Sequence, residues 1–457
     1  MVTQAGHFPN RIFGPWPSHR GAKGAMLAID VRASGPGPGP GPMRPRERVA
    51  TTMRESIPVL PISDPDYWQD PYSVYRRLRE QHRVAQNDQG HIVPLHWDDA
   101  AWAVKGTDFI AEGIEVLERR GFKPGDPMHT WRSNAIGVME GDDHRRVRSR
   151  ATGALSKRNM DAIRPLIRKH AHALLDRVQS AGELDVHKDY ASPLPRLVML
   201  DFLGIDPEEL SGSFAAMSRV NIVDCFGPRV TAELRAAANE AIQKSMDYVA
   251  KLYEKRRLEP RDDLLTHLAQ AKDLEGELSH AELITLFSTI FGSGASTGSV
   301  LASGILELTR QPEQAALFRG DLERWKKGAS EETLRYRPAI IAIGQKSAVA
   351  QAAFGLRFEP GEPIAVVLGA ANRDPERWQD PERFDIRRDP TVMSLTFGMG
   401  AHFCLGHAMA RATVEEALAC FVERCDELQL GNEPHWIPFV AENKLDQLVV
   451  RFEGRKD

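Results

Sequence analysis

Cysteine is scarce in this chain: four in 457 residues (Cys225, Cys404, Cys420 and Cys425). They form no CxxC pair and no disulfide framework of the secreted kind, so the usage is that of a chain folding in a reducing cytoplasm. Long apolar runs are missing too. No stretch reads as the roughly 20 apolar residues a membrane span needs. The best N-terminal candidate, Ala25-Met26-Leu27-Ala28-Ile29, is too short for a signal-peptide core. Nor is there an excess of one charge. A formal net charge of −4 gives no footprint for nucleic acid.

What is present is organised in two parts. Residues 1–56 read as a separate, unfolded extension. Gly35 to Pro42 is a pure Gly-Pro alternation that offers no side chain to bury and denies a helix, and Arg44, Arg46, Arg48 and Arg54 follow it. An alternative is a start upstream of initiation at Met43 or Met53. Residues 57–457 carry the periodicity of a single domain. Asp70-Pro71-Tyr72 predicts a capped helix to about Gln81. The segment Thr107–Val138 reads as a long, partly mobile loop. Helical patterns dominate from Asp142 to Glu259, with breaks at Gly153, Gly182, Gly204 and Gly227-Pro228. A long helix is expected over Ser279–Arg310, with Ser279 and Glu282 at capping-box spacing. Another covers Trp325–Tyr336. Strand signals run from Pro338 to Leu368, and a last helix covers Ala408–Phe421. The class is mainly α with small β-sheets.

The most informative stretch is Phe397-Gly398-Met399-Gly400-Ala401-His402-Phe403-Cys404-Leu405-Gly406. It sets one cysteine at the end of a glycine-punctuated loop, immediately before a helix. Backbone N–H groups and the positive end of that helix lower a thiol pKa and favour S⁻, the form that binds metal. Gly398, Gly400 and Gly406 allow tight turns and the approach of a flat group to the main chain. A buried cysteine by itself is more often a small hydrophobe. The full pattern Phe-Gly-x-Gly-x-His-x-Cys-x-Gly resembles the haem-binding loop of the cytochrome P450 family.

The resemblance extends over about 400 residues and implies that family's fold: a triangular helical domain with haem between the long central helix and the cysteine-loop helix. It implies haem b with Cys404 as axial thiolate, and O₂ as co-substrate. Glu332-Thr333-Leu334-Arg335 puts an acid and a base on one helical face, usually only a surface bridge. At its distance from Cys404 it resembles the family's ExxR element. Pro381-Glu382-Arg383-Phe384 resembles the later motif whose arginine joins that pair, so Glu332, Arg335 and Arg383 are expected to form a buried network under the cysteine loop. His144 and Arg148, four apart, resemble the HxxxR element that binds haem propionates, and His402 matches a further propionate contact. Where the family has an arginine about ten residues beyond the ExxR arginine, this chain has Gln345 and Lys346, and Lys346 is the candidate substitute.

Gly292-Ser293-Gly294-Ala295-Ser296-Thr297-Gly298 interrupts the long helix. Glycines there cost about 1 kcal/mol each relative to alanine, which fits either a ligand approaching the backbone or close helix packing on small residues. Thr297 matches the family's oxygen-activating threonine. The acid that usually precedes it is replaced by Ser296, which can relay a proton but cannot titrate near neutral pH. Phe291, Gly294, Ile340, Ile341, Ala342 and Ile343 are candidate pocket residues and imply a largely apolar small-molecule substrate, although core packing explains them equally well.

The reading is a soluble, cytoplasmic monooxygenase that hydroxylates or O-dealkylates its substrate. No flavin or iron–sulfur sequence is fused to the chain, so electrons are expected from a separate ferredoxin or flavodoxin with its NAD(P)H reductase. The cluster Arg145, Arg146, Arg150, Lys157 and Arg158 is the candidate docking face. Oxidative coupling or desaturation without oxygen insertion, motivated by Ser296, and a haem-binding sensor or carrier without turnover are the alternatives.

Overall fold

The computed structural model describes residues 57–454, apart from 153, 154, 156, 206–221, 262, 267–277 and 440, and apart from the side chains of 157–159. The expected extension over residues 1–56 lies outside the described residues.

Two helices organise the molecule. Gly294–Arg310 is buried at every position from Gly298 to Thr309, and His407–Arg424 is buried from Ala412 to Val422. They pack on each other and on Leu322–Tyr336, Arg164–Asp176 and Pro193–Leu203, forming the main core. Burial all round explains why neither helix shows a clean polar face. Taken as one stretch, His280–Arg310 is long and apolar enough by composition to cross a membrane. That corrects the reading that no such stretch exists. Its apolar surface is used instead as the middle of the helical core.

The expected capping box is present: Glu282 N–H donates to Ser279 Oγ at 3.2 Å, and Ser279 N–H to Glu282 Oε2 at 2.7 Å. The helix Pro71–Arg79 starts as read, with Ser73 N–H donating to the Asp70 carboxylate at 3.3 Å. The segment 107–138 is not a loop. It folds into the strand Phe109–Ala111 and the helices Glu115–Arg119 and Pro127–Ser133. Its periodicity was faint because each piece is too short for a repeat to register.

Strands form a six-stranded sheet in the order Val59–Leu60, Val84–Asn87, Ile92–Pro94, Pro363–Val367, Ala342–Ser347, Phe109–Ala111. The antiparallel pairing of Ile343 with Val366 and of Gln345 with Ile364 sets the strand that leads away from the site. A three-stranded sheet joins Cys425–Leu430, Val449–Gly454 and Glu183–Asp185.

The helix Leu322–Tyr336 meets the coil after Phe384 at Gly328, where an added Cβ would stand 2.1 Å from the Ile386 carbonyl oxygen. Gly328→Ala is therefore expected to force the two apart and destabilise the protein by about 1–3 kcal/mol. The urea-unfolding midpoint of the variant against the parent checks it.

Candidate active site

The cysteine loop is built by short backbone bonds. Gly398 N–H donates to Leu395 O at 2.8 Å and Cys404 N–H to Phe397 O at 2.9 Å. Gly398 and Gly400 both sit at φ +68°, a left-handed conformation that favours glycine. At Gly400 a Cβ would also stand 2.8 Å from the Lys105 carbonyl oxygen. The loop delivers Cys404 to a cavity of about 1120 Å³. Cys404 is exposed, but its open face looks into this cavity.

Burial pushes the Cys404 thiol up, against the opposing pull of the Gly406 and His407 N–H groups and of Arg148 and Arg411. The expected helix-start donors are therefore present, and desolvation outweighs them. A bound cation reverses the balance, because a coordinating thiol is deprotonated. The other cysteines do not share this setting. Cys420, whose sulfur lies 3.6 Å from His172 Nε2, is buried in the helical core and pushed up to about 12 by desolvation. It does not line the cavity.

Beneath the loop lies a buried ion pair. Arg335 donates to both oxygens of Glu332, Nε to Oε2 at 2.7 Å and Nη2 to Oε1 at 2.8 Å, with side chains 2% and 1% exposed. Its Nη1 donates to Asn372 O at 2.9 Å and Pro381 O at 3.0 Å. Asn372 in turn accepts Leu395 N–H at 2.7 Å and donates to Thr396 Oγ1 at 3.0 Å, so the pair is wired to the start of the cysteine loop.

Arg383 needs correction. Its side chain is 56% exposed, and what it contributes is its carbonyl oxygen, 3.2 Å from Arg335 Nη2. The second cation is Arg388, whose Nε lies 3.1 Å from Glu332 Oε1. A β-turn-rich coil carries no periodicity, so which arginine turns inward was not legible.

Two histidines and an arginine form a rim on the cavity. His144 and His402 approach with ring centroids 4.3 Å apart, and Arg148 Nη2 donates to Phe403 O at 2.5 Å. His402 Nε2 also bonds Glu140, at 3.2 Å. Burial, then His402 and Arg148, hold His144 below the usual histidine range. One guanidinium and two imidazoles, all lining the cavity, offer N–H donors to an anion there. Haem, with two carboxylates and a metal that takes a thiolate, would fit this donor set, with His144, Arg148 and His402 toward the carboxylates and Cys404 toward the metal.

Lys346 does not belong to the rim. Its ammonium pairs with Glu115 at 2.5 Å, and Lys346 does not line the cavity. Gln345 lines the cavity in its place, with its Oε1 buried and without a hydrogen-bond partner among the described residues.

Across the cavity the long helix breaks. His280–Gly292 ends, Ser293 forms a turn, and Gly294–Arg310 begins. Phe291, Gly294, Ser296 and Thr297 line the cavity, as do Ile340, Ile341, Ala342 and Ile343. Both explanations of the glycines hold, at different positions. Gly294 faces the cavity, whereas at Gly298 a Cβ would stand 2.7 Å from the Ala191 carbonyl oxygen, which is close packing. Glu442 was not legible from any local pattern. It arrives from a distant hairpin to accept a hydrogen bond from Ser296 Oγ.

This fold, with a cysteine loop on one wall, a broken helix on the other and a rim of two histidines and an arginine, defines a haem–thiolate protein. A family model, Cytochrome P450, matches residues 327–438. The chain is 32% identical over 415 residues to cytochrome P450 107B1 of Saccharopolyspora erythraea, covering 86% of this chain and 98% of that protein. It is 33% identical over 410 residues to 6-deoxyerythronolide B hydroxylase of the same organism, covering 84% and 96%. Epothilone D-bound cytochrome P450epoK superposes with a TM-score of 0.78 at 25% identity, covering 87% and 99%. The chain belongs to the cytochrome P450 family. It is a P450 monooxygenase and carries haem with a cysteine thiolate ligand.

Removing one partner of the Glu332–Arg335 pair leaves a buried charge uncompensated, a loss of about 3–5 kcal/mol. Arg335→Ala is expected to unfold at markedly lower urea and to lose its haem on gel filtration. Arg383→Ala is expected to keep both, and the two unfolding curves with haem-to-protein absorbance ratios check this.

Proposed function

We propose that Cys404 is the thiolate ligand and that the protein inserts one oxygen atom from O₂ into an unactivated C–H bond of a large, mostly apolar molecule. The observation that carries the reading is the single cavity wall-to-wall between Cys404 and the broken helix at Ser296–Thr297. Haem, when bound, supplies the oxygen-activating chemistry, pushed by the thiolate. The chain's own residues do the rest. His144, Arg148 and His402 hold the carboxylates of the group. Phe397 and Gly398 shape the loop behind it, and Arg411, 4.5 Å over the Phe397 ring, braces that loop. Thr297 presents a hydroxyl at the break.

Ile340, Ile341, Ile343 and Phe291 give the substrate end an apolar lining and exclude water. The relatives include a hydroxylase of 6-deoxyerythronolide B and an epothilone D-bound protein, which supports a polyketide-like ring of that bulk as the substrate class. Hydroxylation is favoured over coupling without oxygen insertion. The missing acid beside Thr297, which motivated coupling, is replaced in space by the Glu442 carboxylate on Ser296.

Two electrons per turnover come, in this reading, from a separate ferredoxin and its NAD(P)H reductase in the cytoplasm. The docking face is narrower than the sequence implied. Arg146 is committed to Glu282, at 2.6 Å, and to Asp143, at 3.1 Å. Arg145 is paired with Asp142 yet remains exposed, with 70% of its side chain open. The side chains of Lys157 and Arg158 lie outside the described residues.

The deciding measurement is the ferrous–CO difference spectrum of the protein beside Cys404→Ala and Cys420→Ala. The expected result is a Soret band at the thiolate position that survives Cys420→Ala and disappears in Cys404→Ala. Loss in Cys420→Ala with retention in Cys404→Ala would overturn the assignment.

A further inference from the structure

Ser296 stands where an acid was expected, yet an acid is within one hydrogen bond of it. Ser296 Oγ donates to one carboxylate oxygen of Glu442. Ser299 Oγ, nearly one turn further along the same helix, donates to the other at 3.3 Å. Glu442 is 1% exposed and lines the cavity, as both serines do. Its position does not depend on the serines. Ile341 N–H donates to Ala441 O at 3.1 Å, Asn443 N–H to Ala339 O at 2.7 Å, and Ile340 and Glu442 form an antiparallel bridge. The segment that carries Glu442 is thus sewn to the segment that carries Ile340 and Ile341.

A buried carboxylate is costly unless donors hold it, and here the donors are hydroxyls on the helix turn that contains Thr297. Serine hydroxyls both accept and donate, so the pair can pass a proton along a fixed line. Two charged neighbours act on this end of the cavity. Lys444 also lines it, and Asp224, on the short helix Ile222–Phe226, is raised by burial to about 6 while feeling both Lys444 and Glu442.

We propose that Glu442 is a positioning residue that holds a proton and hands it through Ser296 Oγ to the cavity beside Thr297. The inference rests on the monooxygenase reading, whose stoichiometry consumes two protons with two electrons for each O₂. In the step, the O–H bond of protonated Glu442 breaks as Ser296 Oγ takes its proton. Ser296 releases its own proton into the cavity. No electrons change hands, and the carboxylate recovers its proton from solvent. An acid absent from the helix is in this way supplied by the hairpin.

The test uses the haem-loaded full chain and the variants Glu442→Gln, Ser296→Ala, their double mutant, and Glu442→Gln combined with Ser296→Asp. Turnover of epothilone D and 6-deoxyerythronolide B is driven in one series by NADPH through a plant ferredoxin and its reductase. In the other it is driven by added hydrogen peroxide, which brings its own protons. Glu442→Gln and Ser296→Ala are each expected to lower the NADPH-driven kcat about 100-fold, with KM unchanged and more hydrogen peroxide released per NADPH. Peroxide-driven turnover is expected to persist, and Ser296→Asp to restore the Glu442→Gln enzyme.

Independently of activity, urea unfolding of the two single variants and the double is expected to be non-additive, as for groups in contact. Equal loss in both series, a change in KM alone, unchanged turnover or additive unfolding would each overturn the proposal. A parent protein without the thiolate–CO band, or without NADPH-dependent oxidation, would instead overturn the monooxygenase reading beneath it, while the unfolding cycle would still report whether the pair is real.

Discussion

Everything near the cysteine depends on one buried ion pair. Glu332 and Arg335 are almost wholly out of water, and such a pair is tolerated only when every remaining donor and acceptor is satisfied. Here the satisfying groups are backbone groups of two segments, one at Asn372 and one at Pro381, Arg383 and Asp385. The pair therefore acts as a node that fixes where the coil after residue 372 must run. Asn372 extends the node to Leu395 and Thr396, and from there the chain has only two residues to travel before the first left-handed glycine. The charge network builds the loop, and the loop presents the sulfur.

The two walls of the cavity are made by opposite means. The cysteine wall is a loop whose shape is enforced by glycine conformations and N–H donors. The opposite wall is a helix whose regular bonding is allowed to fail at Ser293. Between them His144, Arg148 and His402 offer N–H donors, and Ile340, Ile341 and Ile343 offer apolar surface. This polarity orients any flat dianionic group before chemistry begins and leaves an apolar space beside it.

Much of this was legible in the chain. The pattern around Cys404, the spacing of Glu332 and Arg335, and the pair His144 and Arg148 are all local, and each needs its residues at fixed offsets on one element. The glycine run from 292 to 298 marks the break in the helix. The misread features share a cause. Lys346 and Gln345 are neighbours in sequence, but a strand sends them to opposite faces. Arg383 and Arg388 are both arginines in the same turn-rich coil, and only packing decides which reaches Glu332. The short helices and strand of 107–138 owe their form to what they lie against, because none is long enough to stand alone.

By itself, then, the sequence determined the cysteine loop, its supporting pair, the capped and broken long helix and the mainly helical class, since all of these are written in short-range spacing. Tertiary structure decided which cations face the cavity, how the cysteine's ionisation is balanced between burial and donors, and that a carboxylate meets Ser296. That last contact joins residues 146 apart in the chain. No local pattern encodes it, because it exists only when the final hairpin pairs with Ala339–Ile341 and carries Glu442 against the broken helix.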